Sequence, residues 1–169
     1  MTSSDLLADA FGRIRGLVND VVDGLSLEQL AFRPGGTANS IGWLVWHLTR
    51  IQDDHLAAAA QAGQVWMADG WAARFGLPFD ESATGYGHRS EEVAAVRVSA
   101  AELLTGYHDA VYTETIQYVQ RLADTDLGRI VDERWDPPVT LGVRLVSVVS
   151  DCLQHAGQAA YVRGLLERG

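Results

Sequence analysis

Asp151 and His155 stand four residues apart in a segment whose apolar residues, Leu141, Leu145, Val148, Cys152, Ala159, Val162 and Leu166, trace one face of a helix. His155 fills the central slot of that stripe. A helix rises about 1.5 Å per residue, so the spacing sets carboxylate and imidazole one turn apart on neighbouring lines of one surface. Such a pair can chelate a metal ion, and it can equally form a simple hydrogen-bonded pair. Burying a polar side chain without a partner costs roughly 2 to 7 kcal/mol, so the two must be satisfied by each other, by backbone, by water or by a cation.

The other four histidines are His47, His55, His88 and His108. His108 borders a core stripe between Tyr107 and Asp109, and His88 sits in a glycine-rich stretch; residue type alone recommends them for chemistry. His47 is embedded in the apolar run Trp43 to Leu48 and has no local polar partner. His55 continues a stripe through Ile41, Leu44, Leu48 and Ile51, which slightly favours it as the inward histidine, yet it follows Asp53 and Asp54 in a polar half-helix. Either would complete a set of two histidines and one carboxylate in the interior of a helical bundle, where such proteins build metal sites. Three protein ligands leave coordination positions open to water or substrate, the mark of a catalytic rather than a structural ion. Donors of these types suit Zn, Ni and Fe alike.

Other chemistries are excluded by composition. All 13 basic residues are arginine, so Schiff-base and catalytic-lysine mechanisms are absent. The single Cys152 cannot form an intrachain disulfide, and its place on the apolar stripe predicts a buried, inert thiol. A formal net charge of −9 opposes binding to nucleic acid, where affinity comes from Lys and Arg. No stretch reaches the roughly 18 apolar residues of a membrane span, and Met1 to Ala10 lacks a basic region followed by an apolar run, so a cytoplasmic protein with no membrane partner is expected.

Positioning these residues requires helices. With 169 residues, 47% of them hydrophobic, the chain fits one domain over 1–169 with a continuous core. Leu6, Leu7, Phe11, Ile14, Val18, Val21 and Val22 predict a first helix over Asp5 to Asp23, closed by Gly24. Ser26 and Gln29 form a capping-box pattern, and Arg33-Pro34-Gly35-Gly36 is a turn. The second helix, Ser40 to Gln61, is apolar nearly all round its first two turns and should be the buried central element. Gly63 to Arg89 is too long for a structureless connection. Its anchors Trp66, Met67, Trp71, Phe75 and Phe79 predict a short helix and an ordered loop able to act as a lid, with Trp66 and Phe79 serving either the lid or a homodimer contact. Ser99 and Glu102 read as the capping box of a third helix ending near Ala123, and Thr140 as the cap of the fourth. Ile130 to Trp135 reads as a short extended segment, and Pro137 with Pro138 delays the last helix. The expected architecture is an all-α four-helix bundle with a long ordered connection between its second and third helices.

The run Asn39-Ser-Ile-Gly-Trp-Leu-Val-Trp-His47-Leu-Thr-Arg-Ile-Gln-Asp-Asp-His55, with Asp151-Cys-Leu-Gln-His155-Ala-Gly-Gln158 late in the chain, resembles the DinB superfamily of four-helix metalloproteins over nearly the whole length. Arg74-Phe-Gly-Leu-Pro78, Thr84-Gly-Tyr-Gly-His88 and Glu133-Arg-Trp-Asp-Pro-Pro-Val139 are similar to the branch of mycothiol-dependent S-transferases. The resemblance implies one metal ligand from the second helix and two from the fourth, hence His47, Asp151 and His155, with Asp151 standing where relatives carry Glu or His. It implies a divalent ion, zinc foremost, and mycothiol as a co-substrate. That low-molecular-weight thiol supplies the nucleophile the chain lacks, and a small electrophile becomes a thioether, as in detoxification.

Around such a site Trp43, Trp46, Trp71 and Tyr86 are candidate walls for the electrophile, and His55 a further neighbour. Arg50, one turn after His47, is a candidate partner for a substrate carboxylate. Each also has a packing or surface reading, since Trp commonly packs and Arg commonly reaches solvent. Two other functions fit the same residues: a thiol-dependent isomerase of maleylpyruvate type, and a non-catalytic bundle that binds a metal or an apolar ligand.

Overall fold

The computed structural model describes residues 1–167; residues 168 and 169, the end of the expected domain, lie outside the described residues. Four long helices form the body: α1 (Ser3–Val22), α3 (Ile41–Ala60), α7 (Glu102–Val119) and α8 (Leu141–Leu166). Each packs on two neighbours, in the cyclic order α1, α8, α3, α7, which gives a four-helix bundle. Short helices α2 (Leu27–Ala31), α4 (Val65–Ala68), α5 (Trp71–Phe75) and α6 (Ser90–Ala95) lie in the connections. A two-stranded antiparallel hairpin, β1 (Ile130–Asp132) and β2 (Val139–Thr140), precedes α8. Among the described residues no helix is long and apolar enough to cross a membrane.

Local chemistry sets the boundaries. Thr2 caps α1 through a reciprocal box with Asp5, Ser26 does the same for α2 with Gln29, and Ser40 and Thr140 accept from the third residue of α3 and of α8. The expected box of Ser99 and Glu102 does not form: Ala101 takes the cap position of α7 with no side-chain bond. Nor does α7 reach Ala123. It ends at Val119, and Asp126 Oδ2 accepts from the Ala123 amide at 2.8 Å, fixing the chain in a new direction.

The second long helix of the sequence, α3, is buried continuously from Ile41 to Asp53, polar residues included. It lies antiparallel to α8: His55 meets Arg144, Leu48 meets Cys152 and His47 meets His155 along the pair. The Cys152 thiol, fully buried, donates to the Leu48 carbonyl, and burial pushes its ionisation far up.

The connection from α3 to α7 is ordered by a buried polar knot. Asp53 accepts from the Val65 and Trp66 amides at 2.9 and 2.8 Å, satisfying the start of α4, and from the Tyr107 hydroxyl at 2.7 Å. The Arg50 guanidinium donates to the Ala83 carbonyl, the Gln64 side chain and the Glu81 carbonyl, and lies 3.7 Å from Asp53. Trp66 and Phe79 are packed in this region, Trp66 on Tyr107 and Phe75, Phe79 on Trp46 and His88. Both make contacts within the covering loop.

Candidate metal centre

His47 from α3 and Asp151 with His155 from α8 converge so that one donor atom of each lies within 4.8 Å of the other two. The pairing follows from the register of α3 against α8, and the spacing of four on α8 brings its two ligands to the same level. The His47 and His155 ring centroids are 4.7 Å apart and nearly perpendicular. His55, two turns farther along α3, stays outside the cluster, 3.6 Å from Asp54 and 3.5 Å from Arg144.

The imidazole orientations are held from behind. His47 Nδ1 lies 2.6 Å from the Thr84 carbonyl, which only accepts, so Nδ1 carries the proton and Nε2 keeps a free lone pair facing the cluster. His155 Nδ1 lies 3.1 Å from Gln158 Oε1, again an acceptor, leaving Nε2 toward Asp151 Oδ1 at 3.6 Å. The Trp43 indole stacks on His47 at 4.6 Å and meets the edge of His155 at 6.1 Å. Its Nε1 donates to His88 Nδ1 at 3.2 Å.

Charge is poised for a cation. Burial holds the His47 imidazole below its ordinary range, which favours the neutral, ligating form. The adjacent Asp151 carboxylate raises His155. Burial works to raise the Asp151 carboxyl, but contact with His155 and the nearby His47 and His55 outweighs it and keeps the group ionised. Asp151 Oδ2 is shielded from solvent and has no hydrogen-bond partner among the described residues. An ionised carboxylate with one shielded, unpartnered oxygen beside two imidazole lone pairs is a donor set that a divalent ion satisfies; the residues fit the group.

The remaining candidates are distributed differently. Trp46 is buried against Trp66, Phe79 and His88, and Trp71 packs on Tyr107 and Arg74, so both act in the covering loop's packing. Tyr86 is 90% exposed beside the loop that reaches His47. Arg50 is wholly buried, and its donors are taken by the loop carbonyls, Gln64 and Asp53. This corrects its expected meeting with a substrate carboxylate: the guanidinium is inside the protein, spent on the loop.

Sequence reasoning passed over the backbone carbonyl of Thr84, the adjoining Gly85 and Gln158. Gly85 has φ +91°, and a Cβ there would lie 2.7 Å from His47 Nδ1 and 3.0 Å from Trp46 Cζ3. The signal was the glycine spacing in Thr84-Gly-Tyr-Gly-His88, which marks close backbone approach without saying to what.

A family model described as mycothiol-S-transferase matches residues 6–168. A crystal structure described as the conserved protein of locus from Enterococcus faecalis superposes with a TM-score of 0.92 at 28% identity, over 100% of this chain and 99% of that one. No curated protein matches the chain.

Proposed function

The chain belongs to the mycothiol S-transferase family, and from that premise we propose that it joins mycothiol to small electrophiles through a divalent ion, zinc foremost, held by His47, Asp151 and His155. The observation that carries this reading is the convergence of those three donors to within 4.8 Å of one another, with one oxygen of the Asp151 carboxylate shielded and unpartnered among the described residues. A divalent ion held by these residues would supply the Lewis acidity that lowers the pKa of a nearby thiol, whose proton would pass to water at neutral pH.

The chain's own residues supply the rest. His47 is fixed in one tautomer by Thr84 and in one plane by Trp43, and Gln158 steadies His155. Trp43 and the loop carrying Thr84 and Gly85 shut bulk water from the rear of the cluster. The sulfur lone pair forms a C–S bond to the electrophilic carbon, and the leaving group departs with its bonding pair. Where the electrophile is an activated double bond, no group leaves: its π pair moves to the neighbouring carbon, which takes a proton from water. Cys152 contributes no sulfur, being buried and protonated.

The test measures bound metal by native mass spectrometry, and thioether formation from mycothiol and an alkyl halide, in the protein and in its His47→Ala, Asp151→Ala and His155→Ala variants. Loss of stoichiometric metal together with conjugation, at unchanged helical circular dichroism, is expected. Conjugation that persists in metal-free protein refutes the reading. Regeneration of the thiol with an isomerised product in place of thioether identifies an isomerase instead.

A further inference from the structure

Gln158 joins the metal centre to a groove that the thiol chemistry leaves unused. The groove, of about 510 Å³, opens between α8 and the start of α3, lined by Pro34, Ala38 and Leu44 from the α3 side and by Gly157 and Tyr161 from α8. It begins one helical turn from the ligands on both helices, Leu44 three residues before His47 and Gln158 three after His155.

We propose that this groove receives the apolar body of the electrophile and makes neutral, apolar electrophiles the preferred substrate class; the inference rests on the thiol-transfer reading above. None of the lining residues is charged, in a chain of net charge −9, so a charged substrate finds no counter-ion there. Asn39, Gln154, Gln158 and Tyr161 can hydrogen-bond, yet the surface facing the groove is predominantly apolar, which suits the apolar reactant better than a sugar-borne thiol. The volume lies within the ordinary span of small-molecule sites.

The groove is built rather than incidental. Arg33 donates to the Thr37 and Ala38 carbonyls at 2.7 and 2.6 Å and to Ser90, pinning the wall that faces α8. Gly157 sits in mid-helix, where glycine weakens a helix, yet a Cβ added there meets no atom within 4 Å; the position is vacant space on the groove side, not tight packing. Tyr161 is 69% exposed, so its ring is free to lie over a ligand.

The probe is 1-methylnaphthalene, an unreactive neutral aromatic, titrated calorimetrically into the full chain with and without zinc. Saturable binding at one site per chain, equal within threefold in both forms, is expected. Gly157→Leu fills the groove and should weaken that binding at least tenfold while zinc stoichiometry stays at the wild-type value. With mycothiol present, 1-(bromomethyl)naphthalene should show a KM at least tenfold below that of 4-(bromomethyl)benzoate. Unchanged naphthalene binding in Gly157→Leu overturns the proposal. So does a Gly157→Leu chain that sediments as a smaller species than wild type, since a second copy then covers the groove. Zinc-dependent conjugation without naphthalene binding sinks this proposal alone, whereas naphthalene binding without conjugation sinks the transferase reading alone.

Discussion

Replacing Gly85 by alanine tests how closely the covering loop governs the metal centre. The new Cβ would start 2.7 Å from His47 Nδ1, roughly 0.7 Å short of ordinary contact, and the φ of +91° is strained for any L side chain. Relief requires the loop to retreat or the ring to turn. A retreat of about 0.7 Å lengthens the 2.6 Å bond from His47 to the Thr84 carbonyl past 3.2 Å, where it contributes little. Backbone strain at such a position costs about 1 to 3 kcal/mol. The lost bond adds about 1 kcal/mol. Loss of the group that orients a ligating histidine lowers metal affinity about 10- to 100-fold. Competition for zinc against a chromogenic chelator gives the affinity, and urea unfolding of metal-free protein gives the stability. A Gly85→Ala chain that binds zinc within threefold of wild type would refute the argument that Thr84 and Gly85 set the His47 imidazole.

Three further outcomes follow from groups outside the metal centre. Arg50→Met removes a buried charge that faces Asp53 and ties Ala83, Glu81 and Gln64 together; breaking such a pair costs about 3 to 5 kcal/mol, readable as a lower urea midpoint, and a loss below about 1 kcal/mol would contradict the assigned role. His108 is buried with Nε2 unpartnered, and burial lowers its pKa to about 4. The unfolded chain therefore binds the extra proton first: this contribution to stability is complete above about pH 6.5, shrinks as the pH falls, and is gone near pH 4. The amount is about 3 kcal/mol by linkage, and His108→Gln should flatten the stability–pH curve over that window; an unchanged slope counts against it. Cys152 should resist an aromatic disulfide reagent in the native state and react only on unfolding, and Cys152→Ser should retain conjugation.

The long helices were legible because burial imposes its period on them. The stripe from Leu141 to Leu166 named the buried side of α8, and the unbroken apolar run after Ser40 named the central helix. Asp151 and His155 could be paired from spacing alone. The choice between His47 and His55 could not be made that way, because both fall near the inward line of α3 and only its register against α8 separates them. The resemblance to known transferases favoured His47 where periodicity leaned the other way. Arg50 misled for a related reason: residue type suggests a solvent-facing cation, while the loop carbonyls that bury it come from more than 30 residues away. Thr84 acts through its backbone, so its side chain carries no trace of the role. The capping pattern at Ser99 failed because α7 begins two residues later than that motif requires.

Trp43 has a use beyond packing. Its indole lies face-on to one ligand ring and edge-on to the other, and its N–H is tied to His88. Any ion that draws charge from those imidazoles alters the electronic surroundings of this fluorophore, while Trp66 and Trp71 sit against Tyr107 on another side of α3. Comparing emission from the native chain and from Trp43→Phe therefore isolates a label-free optical signal for cation arrival, fast enough for stopped-flow recording and requiring no dye.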